Sequence, residues 1–113
     1  CRAPALACVR LVVRNAGVRA GREVVQAYLE FPLSGPNTPR RLLRGFHKTR
    51  LLRAGASEEV AFGFGVRDLS IYHGGGWLLQ ELARVHVGAS SSDLRHEVEL
   101  PVPIGGGVNR RGS

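Results

Sequence analysis

Apolar and polar residues alternate most regularly between Arg22 and Pro32. Four apolar side chains recur at every second position, namely Val25, Ala27, Leu29 and Phe31. The residues between them are mostly polar or amphipathic, and such a period of two is typical of a half-buried β-strand. We therefore predict a strand over residues 23–31 with one apolar face that must pack against another layer.

The same alternation recurs along the rest of the chain. It predicts strands over residues 6–14, 59–66, 83–89 and 94–104, a bent strand over 40–52 and a short one over 77–80. The first two strands are predicted to form an antiparallel hairpin, and Val66 and His96 to lie on core-facing sides. Residues 32–39 are predicted to be a loop, 68–70 to start a helical turn capped by Asp68, 74–76 to be a flexible connector and 90–93 a tight turn. Short strands at roughly 8–12-residue spacing, with no sustained helical period, predict an all-β sandwich.

Size and charge narrow the function classes. The chain has 113 residues, enough for one domain, and 43% of them are hydrophobic. No apolar run approaches the roughly 20 residues that span a bilayer, so we expect no membrane contact. The net charge is +7, yet the arginines are spread along the sequence without interleaved aromatic residues. This pattern favours a solvated basic surface over a phosphate-binding patch, and we expect no nucleic-acid partner.

The sequence offers no convincing catalytic or metal centre. Glu97 and Glu99 share a predicted outward face, which indicates solvated carboxylates and not a glycosidase pair. The Gly-x-Ser-x-Gly motif of a serine nucleophile is not present, and the four histidines lack metal-ligand spacing. We expect neither a metal nor another cofactor. Cys1 and Cys8 lack Cys-x-x-Cys spacing, and Cys8 is interpreted as a plain thiol. Trp77 is interpreted as a core or domain-contact residue, with stacking on a sugar as the alternative.

Several ordered motifs carry a family resemblance. They are Asn15-Ala16-Gly17 with Ala20-Gly21 and Glu23–Tyr28, Pro39 with Leu43–Lys48, Leu52–Ser57, Asp68-Leu69-Ser70 with Tyr72, and Val87–Arg95. Together they resemble the fibronectin type III-like domain that closes family 3 glycoside hydrolases, the β-glucosidases, β-xylosidases and their relatives. The sequence departs from the family pattern at several positions: Ala54 and Ala56 replace Pro and Glu, and Gln80, Glu81 and Ala83 replace Pro, Gly and Tyr.

The resemblance implies an immunoglobulin-like, fibronectin type III-like antiparallel sandwich over residues 6–104 that lacks its first strand. Residues 1–5 would then be the leading segment of a longer parent, and residues 105–113 a flexible tail. Because the catalytic residues of that family lie in other domains, this chain is expected to be a non-catalytic accessory domain.

Its implied partners are the catalytic domains of the parent glycosidase, which it would pack against and stabilise. Arg44, Phe46 and Trp77 are the candidates for that contact. The alternative is a stand-alone module that binds carbohydrate or a polyanion, with weak carbohydrate contact through Trp77. The family is often secreted or periplasmic, but the chain shows no signal-peptide pattern, so its compartment stays open.

Overall fold

The computed structural model describes residue 1 and residues 5–32, 41–90 and 93–102. These residues form eight β-strands and no helix. The strands are β1 (Ala7–Arg14), β2 (Val24–Glu30), β3 (Leu42–Lys48), β4 (Ser57–Phe64), β5 (Ser70–His73), β6 (Gly76–Leu79), β7 (Leu82–Ser90) and β8 (Asp93–Pro101). The predicted all-β class is therefore confirmed. The predictions for residues 2–4, 33–40, 91–92 and 103–104 and for the tail lie outside the described residues.

The strands form two main sheets. β1 pairs antiparallel with β4, and the second sheet has the order β3-β2-β7-β8. The predicted hairpin between the first two strands is wrong, because β1 and β2 belong to different sheets. Alternation reports which face of a strand is apolar but not which strand lies beside it. The connection between them is held by Asn15, whose buried side chain donates to the carbonyls of Arg19 and Leu52, at 2.8 and 2.9 Å.

The core lies between the two sheets and is built from the alternating positions of β2, β4 and β7. Its fully buried members include Leu29, Val60, Phe64, Leu69 and Val85. The predicted inward faces of β2 and β7 are confirmed, as is the inward face of β4 up to Phe64. Val66 is exposed, contrary to prediction, because β4 ends at Phe64 and the chain then turns.

β5 and β6 form a separate hairpin beside the sandwich. Gly74 and Gly75 join them with φ of 62° and 84°. Two successive positive φ values are what a two-residue type I′ turn requires, and glycine adopts them without steric cost. The prediction of a flexible connector at residues 74–76 is therefore wrong: two of its glycines make a tight turn, and Gly76 begins β6. The short strand predicted at Trp77 is confirmed.

The two sheets differ in width. Within the described part of the chain, β1 pairs only with β4, so its other edge has no strand partner. On β8, Val98 lies opposite the buried Val85 and therefore points to the same inner face, yet it is 47% exposed. His96 is exposed as well. The face predicted for β8 is correct, but the narrower sheet leaves this part of it uncovered.

The cysteines are paired, contrary to the interpretation of Cys8 as a plain thiol. Cys1 and Cys8 form a disulfide with a Cα–Cα distance of 5.9 Å. Cys8 points outward from β1, and Cys1 and Ala5 lie beside Gly63 of β4. A side chain at Gly63 would approach Ala5 to 3.3 Å and Cys1 to 3.5 Å. The missing side chain of Gly63 therefore gives Cys1 and Ala5 room to lie against the sheet.

Candidate functional site

Three elements border a shallow surface groove of about 540 Å³ at the β3 edge of the larger sheet. The groove is formed by β3, the turn that follows β4, and β6. Its lining residues are Leu43, Arg44, Gly45, Phe46, Arg67, Asp68 and Trp77. We call these seven residues the aromatic groove. The fold thus places Arg44, Phe46 and Trp77, the candidates for a domain contact, in one groove.

A β-bulge shapes the β3 wall. The pairing of β2 with β3 shifts register between Ala27 and Tyr28, where Ala27 faces Gly45 and Tyr28 faces Leu43. Arg44 is the extra residue, and the bend that the sequence predicts near Gly45 is this bulge. Because of the extra residue, Leu43 and Phe46 share the outer face although they lie three positions apart. Both are exposed.

Trp77 forms the opposite wall and is held by two neighbours. It pairs with Tyr72 across the β5–β6 hairpin, and the two rings meet edge to face with centroids 5.4 Å apart. The Arg67 guanidinium lies 4.4 Å from the indole centroid, within the range of a cation–π contact. These contacts fix the ring while leaving Trp77 46% exposed. Trp77 is therefore not a core residue, and the domain-contact and sugar-stacking interpretations remain.

Asp68 fixes the turn between these walls. Its Oδ2 accepts a hydrogen bond from the backbone N–H of Gly65 at 2.9 Å, and Leu69 is buried beneath it. Asp68 lies inside the turn instead of capping a helical turn at its start, so that prediction is wrong. Arg67 and Tyr72 were not predicted as site residues. The Gly74-Gly75 pair could have placed Tyr72 opposite Trp77, but nothing in the sequence places Arg67 over the indole.

Away from the aromatic groove, a cluster of charged and polar side chains lies on the outer face of the larger sheet, across β2, β7 and β8. His86 is buried, and its Nε2 lies 2.8 Å from Oε1 of Glu30. Arg84 is within 3.3 Å of both Glu97 and Glu99 and 3.7 Å from Glu30. Glu97 and Glu99 share the predicted outward face, and there both pair with Arg84 of β7.

Comparison with known proteins identifies the family. The Fibronectin type III-like domain matches residues 23–91, more than half of the chain. This chain belongs to the fibronectin type III-like domain family. The predicted resemblance and fold class are thereby confirmed.

The relatives of this fibronectin type III-like domain are much longer proteins. It is 43% identical over 102 residues to β-glucosidase cel3A of Pyricularia oryzae, covering 86% of this chain and 14% of the relative. Among solved structures it is similar to the β-D-glucoside glucohydrolase of Trichoderma reesei, with a TM-score of 0.81, 36% identity, and coverage of 88% of this chain and 14% of that one. It is also similar to β-glucosidase 3B of Thermotoga neapolitana in complex with α-D-glucose, with a TM-score of 0.78 and 40% identity. The match covers 84% of this chain and 13% of that one.

Two carboxylates of the domain, Glu30 and Glu58, form hydrogen bonds with histidine side chains. A glycosidase acid must stay protonated near neutral pH, which requires a raised pKa. Here the hydrogen bond from His86 holds the pKa of Glu30 below its ordinary value. The hydrogen bond between Nε2 of His47 and Oε2 of Glu58, 2.6 Å long, lowers the pKa of Glu58 in the same way. Of the described residues that line the aromatic groove, Asp68 alone carries a carboxylate. The other charged side chains that line it are the guanidinium groups of Arg44 and Arg67.

Other classes of site find no support in the described residues. No group of three or more His, Cys, Asp or Glu side chains that could hold a metal ion occurs among them. The same part of the chain contains no helix with the length and apolar character needed to cross a bilayer.

The Glu30–His86 contact predicts an acid-dependent loss of stability. Because the folded-state pKa of Glu30 is lowered, its ionised form stabilises the fold above the unfolded-state pKa, and this contribution disappears as the pH falls through the folded-state value. Glu30→Gln should therefore unfold more easily than the parent chain at pH 7. The difference in free energy of unfolding between the two proteins should become smaller as the pH is lowered below about 4. Urea unfolding of both proteins at several pH values measures this, and a gap that is constant with pH would contradict it.

Proposed function

We propose that this domain is the non-catalytic accessory domain of a family 3 glycoside hydrolase and that it packs against and stabilises the catalytic domains. The parent activity would be that of a β-glucosidase or β-xylosidase, and residues 6–104 would form the domain. The observation that carries the proposal is the aromatic groove. Phe46 is 61% exposed in this groove, which it lines together with Trp77. The chain corresponds to about one seventh of the length of its β-glucosidase relative.

The composition of the aromatic groove supports a contact between domains. Interfaces are enriched in aromatic residues and arginine, and a few such side chains carry most of the binding free energy. Here Phe46 and Trp77 offer apolar surface, and Arg44 and Arg67 place guanidinium groups beside it. The ring of Trp77 is already fixed by Tyr72 and Arg67, so little side-chain freedom would be lost on docking.

A chimaera tests the proposal. This chain would replace the matching segment of β-glucosidase cel3A of Pyricularia oryzae, and calorimetry and the half-life of glucosidase activity on heating would be measured. Phe46→Asp and Trp77→Ala should each remove about 1–3 kcal/mol of interface free energy and separate one unfolding transition into two. Val18→Asp, at an exposed position outside the groove, is the control and should leave the chimaera unchanged.

The isolated chain separates docking from folding. Phe46 and Trp77 are 61% and 46% exposed and lie outside the core, so the two groove variants should keep the melting temperature of the isolated chain within a few degrees. Groove variants that leave the chimaera as stable as the unmodified one would refute the proposed contact. A chimaera with no gain in stability over the enzyme without this segment would refute the accessory role itself.

The exposed ring of Trp77 also favours a second candidate, sugar binding by the free-standing domain. Aromatic rings stack on the apolar faces of sugars, and Arg67 already lies over one face of this indole, so the opposite face is the one available. Retention of the isolated chain on insoluble polysaccharide, lost in Trp77→Ala, would favour this function. Equal retention of both proteins would exclude it.

A further inference from the structure

The fold gathers basic residues that the sequence scatters. Six exposed basic side chains lie at the end of the sandwich where residues 15–23 and 49–56 meet, namely Arg14, Arg19, Arg22, Lys48, Arg50 and Arg53. We call this set the basic end. The sequence-based expectation that the arginines are not gathered is wrong for these residues, because two segments far apart in sequence contribute to the same end.

Hydrogen bonds tie the segments of the basic end together. Gly21 and Leu52 exchange backbone hydrogen bonds of 2.9 and 2.8 Å, and the amide of Thr49 donates to the carbonyl of Glu23 at 2.9 Å. Asn15 is buried and bonds to the Leu52 carbonyl, while the Gly55 amide donates back to the Asn15 carbonyl at 2.7 Å. The basic side chains are therefore mounted on a fixed backbone, which lowers the entropy lost when they bind a ligand.

Most of these charges have no ion-pair partner within the described part of the domain. Arg14, Arg19, Lys48 and Arg53 form no ion pair with any residue that the structure describes, whereas Arg50 lies 3.7 Å from Glu58. Three carboxylates lie nearby. Glu23 is half-buried, Glu59 is exposed on β4, and Glu58 is held by His47 and Arg50. The six basic side chains thus outnumber the three carboxylates, and the local net charge is positive. Arginine is suited to bidentate contact with carboxylate and sulfate groups.

We propose that the basic end binds acidic polysaccharides, whose repeated carboxylate or sulfate groups would pair with successive arginines. The choice of polysaccharide over other polyanions rests on the proposed function of the chain as part of a carbohydrate hydrolase. It also rests on the absence of aromatic side chains from the segments 14–23 and 48–57. Single-stranded nucleic acids are bound on such stacking platforms. The site is distinct from the aromatic groove, which lies around β6 and the turn after β4.

Charge reversal on the isolated chain tests this site. Affinities for a heparin-derived oligosaccharide, oligogalacturonate and a DNA duplex of similar length would be measured by calorimetry at several salt concentrations. Arg19→Glu and Arg53→Glu should each weaken binding to both oligosaccharides by about fivefold and reduce the salt dependence of affinity, since fewer ion pairs then form. Arg10→Glu, an equal charge change at an exposed position in the middle of β1, should change affinity by less than about twofold.

Further variants separate folding and net charge from the site. Arg19→Gln and Arg53→Gln introduce no new charge and should weaken binding less than the reversals, and circular dichroism verifies that each variant is folded. Trp77→Ala should bind both oligosaccharides like the parent chain, so failure of the aromatic groove leaves this result unaffected. No binding of either oligosaccharide at low salt would overturn the proposal. Equal weakening by Arg10→Glu, or tighter binding of the DNA duplex, would overturn it as well.

Discussion

Phe64→Ala is expected to lower the free energy of unfolding by about 3–5 kcal/mol, the range for removing a buried phenyl ring from a core. Phe64 is 0% exposed, ends β4 and packs among the side chains of both sheets. The structure around it includes Leu69 and the turn that builds one wall of the aromatic groove. Thermal unfolding of the isolated chain should show a fall in melting temperature of more than about 10 °C.

Phe46→Ala is the matched control for this core substitution. It removes the same ring from a position that is 61% exposed, where little apolar surface is lost from the core. In the isolated chain we expect it to cost less than about 1 kcal/mol. Equal losses for the two variants would contradict the assignment of Phe64 to the core and of Phe46 to the surface.

The strands of this domain could be predicted because one face of each is buried. Val25, Leu29 and Val85 alternate with polar residues, and each lies inward in the structure. Alternation stops being informative where the neighbouring layer ends. His96 and Val98 keep the correct phase on β8 but are exposed, because the two-stranded sheet does not reach them. Burial at such positions depends on the width of the opposite sheet, which no local pattern encodes.

Pairing partners were harder to predict than faces. β1 and β2 are neighbours in sequence and have matching patterns, yet the buried Asn15 directs the chain between them from one sheet to the other. Asparagine is common in turns. Two of the three side-chain hydrogen bonds of Asn15 lie within the turn, and the third joins the turn to the carbonyl of Leu52, 37 residues away. The sequence marks the turn but not that distant acceptor.

The candidate site was predictable only in part. Arg44, Phe46 and Trp77 were predicted as candidates for the domain contact that the family resemblance implies, and the fold places them in one groove. The contact of Arg67 with Trp77 depends on how the turn after β4 meets the β5–β6 hairpin, so it is a tertiary property. The same holds for the basic end, where arginines from distant segments meet only after the sheets have packed.

Gly45→Ala is expected to destabilise the domain by about 2–3 kcal/mol through overpacking, although the change adds one carbon atom. A Cβ at Gly45 would lie 2.5 Å from Cδ1 of Phe62 and 3.2 Å from the Cβ of Ala27. Both neighbours are buried, so the ring of Phe62 cannot move aside without disturbing the core.

Gly76→Ala is the matched control for Gly45→Ala, because nothing lies within 4 Å of the position a Cβ would take there and its φ is not in the left-handed region. In an extended strand it should be neutral or slightly stabilising, since alanine restricts the unfolded chain more than glycine does. Chemical denaturation of both variants gives the comparison. A neutral Gly45→Ala would mean that β3 does not approach Phe62 as closely as the bulge at Arg44 requires, and that the β3 wall of the aromatic groove is positioned differently. A loss confined to Gly45→Ala would show that the missing side chain at this position lets the edge strand close over the core while Phe46 stays outside.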